Sequence, residues 1–418
     1  MHGHRRCRVG LLGLALLLTA PAARAGDWPQ WLGPTRQGVS DEEIKPWEDA
    51  PKVLWRVPVG EGHSSPVVAD GRVFLHTKVP GREAEAVLAF DAKSGEKLWE
   101  KTYERAQFAT PFGNGPRSTP CVDGRRIYTL GITGVLSCFD AQNGGLHWRV
   151  DTLKQFGAKN LVFGVSTSPL IYHDRVFVMV GGKGASVVAF EKDTGKVAWK
   201  AGDDPASYSS PILWHAGMPN HLVFLTGAHL MSLEPDGGKV VWRVPFRDRL
   251  NESSTTPVRV GDKLVASSVT AGSIGVDVQT KDGESAAEPV WKNPALTCYF
   301  STPVVVGSPD SHLYMVTGEA KLLGATADLH CVDAKTGKSV WKKPKVGAYH
   351  ASLLRLADGK VLMLEDDGEL VLLDGGVKEY KELAHSKVCG KTWAHPALAH
   401  GRLYLRDDRE LICLEMGK

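Results

Sequence analysis

Eight side chains of unlike chemistry recur about 40 to 55 residues apart: His63, Arg117, Ser166, Tyr208, Ser254, Phe300, His350 and Trp393. Most stand before a constant frame of two small, hydroxylated residues and then Pro, as in Ser64-Ser65-Pro66, Ser118-Thr119-Pro120 and Ser301-Thr302-Pro303. The constant part reads as structural, with hydroxyls bonding backbone groups where strands converge. The variable position reads as functional, because a guanidinium, imidazoles and flat rings held at one level can stack on and hydrogen-bond a ligand. His395 interrupts the hydroxyl row, and Glu61, Asn114, Asp248, Asn251 and Glu252 fall in the same connecting segments. The binding set expected from this pattern is His63, Arg117, Tyr208, Glu252, Phe300, His350, Trp393 and His395, with no catalytic or metal-ligating residue assigned. The alternative is that these side chains fill a channel with one another and with water.

The elements that must position them follow from the rest of the repeat. After each frame come two β-runs, an acidic residue, Gly four positions later and Trp four beyond that, as in Asp91, Gly95 and Trp99. Asp140 to Trp148, Glu191 to Trp199, Glu234 to Trp242 and Asp333 to Trp341 keep the spacing. The acid and the Gly suit a hairpin turn, and the Trp falls at one point of each outermost strand, where its ring can fill the wedge between neighbouring sheets. The frame ends at Pro66, Pro120, Pro169, Pro211, Pro257, Pro303 and Pro396, with Leu353 standing in for an eighth Pro. Eight such units predict an all-β, eight-bladed β-propeller of four-stranded antiparallel blades. The last copy lacks an outer strand, and Val53-Leu54-Trp55-Arg56-Val57 stands alone before the first. The N-terminal strand is therefore expected to complete the eighth blade, leaving no sheet unfinished. The loops into the inner strands open at one end of the channel; residues 103–116 and 152–164 are long connections on that face. Insertions at 78–85, 271–287 and 318–328 are expected to be decoration.

The chain starts with Arg5, Arg6 and Arg8, an apolar run from Val9 to Thr19, and Ala23-Arg24-Ala25 before Gly26, the pattern of a secretory signal peptide over 1–25. An extension over 26–52 and the propeller over 53–418 follow. No Cys stands at the cleavage point to carry a lipid anchor, and no segment is long enough to span a membrane as a helix. Losing the leader removes four Arg and no acid, turning the formal +3 into −1, so no bulk positive charge argues for nucleic acid. The expected product is secreted or periplasmic and monomeric. Cys138, Cys331 and Cys413 occupy equivalent points of separate blades, too far apart to bridge, so buried free Cys is the expectation.

Several motifs dissolve into the repeat. Gly164-Val165-Ser166-Thr167-Ser168 echoes a nucleophile elbow but ends in Ser, and Thr336-Gly337-Lys338-Ser339 echoes a P-loop ending inside a blade turn. Neither H-E-x-x-H nor C-x-x-C-H occurs.

The Asp/Glu-x-x-x-Gly-x-x-x-Trp turns with Ser/Thr-Pro inner strands resemble pyrroloquinoline-quinone-type propellers, from about Trp28 to Glu415. The opening Asp27-Trp28-Pro29-Gln30-Trp31-Leu32-Gly33-Pro34, with Gly115-Pro116-Arg117 and Gly390-Lys391-Thr392-Trp393, is similar to exported quinone-like repeat proteins. The superfamily holds quinoprotein alcohol dehydrogenases and the non-enzymatic outer-membrane barrel-assembly lipoprotein. The resemblance implies either a binding or scaffold module with a protein partner in the cell envelope, or an oxidoreductase of alcohols or sugars using pyrroloquinoline quinone (PQQ) with calcium. The adjacent cysteines of those enzymes have no counterpart here, and Asp248, Asn251 and Glu252 are oxygen ligands clustered in one loop. A carbohydrate or peptide binder with Tyr208, Phe300 and Trp393 as stacking platforms is a third reading. The expectation is a binding or scaffold module without a resident cofactor.

Deleting residues 53–57 is expected to collapse cooperative unfolding. An unchanged melting curve would refute closure by the N-terminal strand.

Overall fold

The computed structural model describes residues 26–214, 220–281, 284–321 and 324–417; the expected leader over 1–25 lies outside the described residues. Each repeat forms one four-stranded antiparallel sheet, and there are eight. In the first blade the strands run inward to outward as Val67–Ala69, Arg72–Lys78, Ala84–Asp91 and Lys97–Glu104. The eighth is assembled from both ends of the chain. Val53–Pro58 pairs antiparallel with Glu410–Glu415, setting Trp55 opposite Cys413 and Val57 opposite Leu411. Among the described residues a single helix occurs, Thr152–Phe156, in the long connection before the third blade.

The turn residues do more than reverse the chain. The Asp91 carboxylate accepts from the backbone N–H of Lys93 and Ser94 at 3.0 and 2.8 Å, which shapes the turn. Trp55 of the eighth blade lies against this turn and donates its indole N–H to the Ala92 carbonyl at 3.3 Å. A Cβ on Gly95 would stand 2.7 Å from the Trp55 ring, so Gly serves both its φ of 75° and the neighbouring blade. The same bond links Trp99 to Ala141, Trp148 to Lys192, Trp199 to Pro235 and Trp291 to Ala334, each across a blade boundary. Trp242 and Trp341 face the fifth and seventh blades, whose turns depart from the pattern, and their indole N–H groups have no partner. Seven of the strand-borne rings are thus wedges, and in the seventh blade Ala384 takes the place of an eighth. Trp47 from the extension packs on the cluster containing Ala384 and donates to Ser386 Oγ at 3.0 Å.

The hydroxyl frame forms a second set of links nearer the axis. The backbone N–H of Ser65 donates to Thr119 Oγ1, that of Thr119 to Ser168 Oγ, and that of Ser168 to Ser210 Oγ, at 3.1, 3.0 and 2.9 Å. Thr256 reaches Thr302 Oγ1 in the same way at 3.1 Å. All six described cysteines are unpaired; five are buried and Cys389 is half-buried.

The extension does not trail from the propeller but closes its channel. Trp28 pairs with Val68 in the first blade, and Val122 of the second donates to the Pro29 carbonyl at 2.8 Å. Arg36 is buried and binds the carbonyls of Ser168, Pro169 and Pro211 at 3.1, 2.9 and 2.7 Å, in the third and fourth blades. Gln37 accepts from Arg259 N–H of the fifth blade at 2.8 Å, Val39 bridges Arg355 of the seventh, and Glu42 accepts from Gly401 N–H of the eighth at 2.5 Å. A Cβ on Gly38 would lie 3.1 Å from Val304 of the sixth blade. Residues 27–42 therefore bond to the inner strands or the residues flanking them in seven blades and pass close to the sixth.

One insertion expected to be decoration, at 78–85, ends instead on a buried anchor. Glu85 accepts from the Tyr103 hydroxyl, lies 3.4 Å from His76 Nε2, and accepts from Ile132 N–H of the second blade at 3.0 Å. Burial works to raise its pKa, but the bonds and charge from His76, Tyr103 and Ile132 outweigh it and hold the carboxyl below its usual range.

Glu85 therefore adds stability above the ordinary carboxylate pKa, and that stability is lost as pH falls through the lowered folded value. Glu85→Gln is expected to cost about 3 kcal/mol in denaturant unfolding at neutral pH. The gap from wild type should close below about pH 4, and a pH-independent gap would overturn the assignment. Arg36→Met should cost about 2 kcal/mol or more by leaving three buried carbonyls unpaired, whereas a neutral effect would show that the plug is dispensable.

Candidate functional site

The loops entering the inner strands surround a cavity of about 280 Å³ above the plug. Its floor is Trp31 from the extension with Ser168, Ser210 and His395. Trp31 is fixed by donating its indole N–H to Thr256 Oγ1 at 2.8 Å, and the His395 ring meets it edge-on at 4.7 Å. The channel is thus a cup opening at one end.

Aromatic rings run around the wall in sequence. Tyr208 meets Phe163 at 5.8 Å between centroids, Phe163 meets Phe112 at 5.5 Å, and Phe112 meets Trp393 at 6.1 Å. Trp393 continues to Phe300 at 4.9 Å, which stacks on Tyr299 at 3.8 Å. His63 and Tyr349 also pack on Trp393, at 5.4 and 5.9 Å, making it the hub of the belt.

All of the residues expected to bind, apart from His350, line this one cavity. His350 sits behind it, fully buried, with its ring nitrogens 3.1 Å from Ser301 Oγ and 2.9 Å from Ser352 Oγ. It shares the frame position of its counterparts but is drawn into the hydroxyl ring. Phe112 and Phe163 come from the two long connections marked by their length, although nothing marked those two residues individually. Tyr299 and Tyr349 stand one position before the repeated site, and Trp31 lies outside the repeat altogether. The insertion at 318–328, expected to be decoration, brings Ala320 and Lys321 to the cavity.

The charged members are already engaged. Arg117 donates to the carbonyls of Phe112, Gly113 and Gly115 at 3.0 to 3.2 Å, stapling its own loop. Burial pushes its pKa down to about 10 against the opposing pull of Tyr208 and Glu61. Glu252 accepts from the Tyr299 hydroxyl, and burial raises its pKa despite that bond. Lys321 is held by both oxygens of Glu319 at 2.8 and 2.9 Å. Burial holds His63 and His395 well below the ordinary histidine value and brings His350 to about 4, so all three are neutral at neutral pH.

The oxygen cluster in the fifth-blade loop does not converge on a cation. Asp248 accepts from the N–H of Leu250, Glu252 and Thr270 and from the hydroxyls of Ser268 and Thr270, at 2.6 to 3.0 Å, and Asn251 donates to Ala206 O. Among the described residues no group of three or more His, Cys, Asp or Glu could hold a metal ion. For a flat tricarboxylate such as PQQ the lining holds aromatic rings, Glu252, Lys321 paired with Glu319, and Arg117 with three of its N–H groups on loop carbonyls.

The sequence profile of the family described as outer membrane protein assembly factor BamB matches residues 47–111, 83–343 and 286–411. No curated protein matches the chain. Among solved structures, quinohemoprotein alcohol dehydrogenase from Comamonas testosteroni is 13% identical, with 95% of this chain and 82% of that one covered and a TM-score of 0.63. A europium-containing methanol dehydrogenase is 15% identical over 91% of this chain and 89% of its own, with a TM-score of 0.66. BamB from Moraxella catarrhalis is 14% identical over 88% of this chain and 100% of its own, with a TM-score of 0.60. At these identities the structural likeness concerns the fold alone.

Proposed function

The chain belongs to the family described as outer membrane protein assembly factor BamB, and on that premise we propose that it is an exported, non-enzymatic propeller that binds a ligand or partner at the channel mouth. The observation that carries this reading is the cup: a cavity of about 280 Å³ floored by the chain's own N-terminal segment and walled by a belt of aromatic rings. Such a site offers large apolar area with few, placed polar groups, the usual composition of a binding pocket. Export follows from the leader pattern of 1–25. A protein partner in the cell envelope would meet exposed Leu250 and Val162 at the rim of the same mouth.

The competing reading, a PQQ-dependent oxidoreductase of alcohols or sugars, draws on the shared fold of the dehydrogenases. The two separate in one experiment. The mature protein is titrated with PQQ, with and without Ca²⁺, and assayed with alcohols and a dye acceptor, while small ligands are screened by saturation-transfer NMR. The expected result is no saturable PQQ binding and no dye reduction, with screened ligands bound at the mouth and weakened about tenfold by Trp393→Ala. Saturable PQQ binding with turnover would overturn the non-enzymatic reading.

A further inference from the structure

The apolar surface of the cup does not end at its wall. Among the described residues most of the exposed large apolar side chains, such as Leu98, Leu146 and Val340, lie on outermost strands. Val162 and Leu250, 76% and 52% exposed, stand instead at the mouth. Val162 precedes Phe163 of the wall, and Leu250 lines the cavity itself. A concave aromatic surface that continues onto an exposed apolar rim is the pattern of a docking site. The cavity, at about 280 Å³, is small beside pockets for drug-sized ligands, which begin at roughly 300 Å³. It suits one anchoring side chain rather than a folded element.

The rim is uneven in charge. From the loop at 246–252 to the loop at 344–349 the acids are committed. Asp248 accepts five hydrogen bonds, Glu252 holds the Tyr299 hydroxyl, and Glu319 holds Lys321. Asp328 pairs with Lys342 at 2.7 Å and accepts the Lys345 backbone N–H at 2.9 Å. The cations of the same loops are not used up. Arg247, Arg249 and Lys345 are exposed and form no ion pair among the described residues. Lys321 is exposed despite its contact with Glu319, and Arg117 keeps two of its five N–H groups beyond the three given to loop carbonyls. The opposite rim mixes Glu61, Asp367 and Asp408 with Lys391 and Arg409 and carries no such excess.

From this juxtaposition we propose that the mouth docks a protruding segment of a partner protein, in which an aromatic side chain seated against Trp393 is flanked by acidic residues that meet Arg247, Arg249 and Lys321. The inference rests on the reading of the mouth as a binding site and specifies the chemistry of the partner. The buried ring supplies affinity, and the acids fix the side of the rim on which the segment lies. A basic segment would set its charges against guanidinium groups that have no counter-ion of their own.

The test uses mature protein and capped five-residue peptides. The first is Gly-Glu-Trp-Asp-Gly; a second replaces its acids by Gln and Asn, a third by Lys and Arg, and a fourth keeps the acids but replaces Trp by Ala. Free indole-3-acetate is the small aromatic acid of the set. Calorimetry and saturation-transfer NMR report binding. The acidic Trp peptide is expected to bind saturably, about tenfold or more tighter than the neutral and basic peptides and the Ala peptide. Its affinity should fall between about 50 and 500 mM salt as the rim charges are screened. Arg247→Glu combined with Arg249→Glu changes exposed side chains only. It should leave Tm unchanged, weaken the acidic peptide about tenfold, and strengthen the basic one. Equal binding of the three Trp peptides, or an unchanged affinity in the double variant, would overturn the acidic partner. Indole-3-acetate bound as tightly as the acidic peptide would make the occupant a small aromatic acid, overturning the docked segment while leaving the mouth a binding site. Failure of every Trp peptide to bind would overturn the proposal, whereas the reading of the mouth as a binding site stands or falls on the small-ligand screen.

Discussion

No blade of this propeller has a core of its own. The buried clusters lie between blades: Val67, Phe74 and Trp99 of the first pack with Ile127 and Phe139 of the second, and Phe177 and Met179 of the third with Leu222 and Met231 of the fourth. A four-stranded sheet buried on both faces by its neighbours is stable only inside the closed ring. At five of the eight boundaries the indole-to-carbonyl bonds and the glycines that admit the rings set the angle at which one blade meets the next. Every feature of the mouth depends on that angle, because the mouth residues come from successive blades and meet only when the ring is shut.

The parts legible from sequence are those that repeat. Asp91, Gly95 and Trp99 announce a turn and a wedge because the same spacing returns blade after blade, and the missing outer strand of the last copy identifies residues 53–57 by elimination. What stayed hidden is non-periodic. Arg36 belongs to no repeat, yet it reaches carbonyls more than 130 residues away in two blades. Glu85 looked like the end of an exposed insertion, and its partner Ile132 lies on another blade. Frame position also misleads where a local bond intervenes, as at His350, which Ser301 and Ser352 hold behind the cup.

The mouth differs in kind from the frame that carries it. The frame uses small hydroxyls that accept backbone N–H groups from the neighbouring blade, whereas the rings of the wall differ from blade to blade and leave the eight-fold pattern. Trp393 gathers four other rings around it, so the belt behaves as one packed unit rather than as separate platforms. The Trp31 floor ties this unit to the extension, so the shape of the cup depends on the seating of a segment that precedes the first blade.

The pairing of Val53–Pro58 with Glu410–Glu415 has a consequence in time. It joins the opening of the propeller sequence to its close, a contact of nearly the greatest sequence separation the chain allows, and such contacts carry the largest loop-closure cost and form late. The ring therefore cannot lock while its C-terminal strands are still being made. Until then the first blade lacks its neighbour on one side, and the ring stays open there. The architecture itself thus postpones the locking of the ring until the last strands exist.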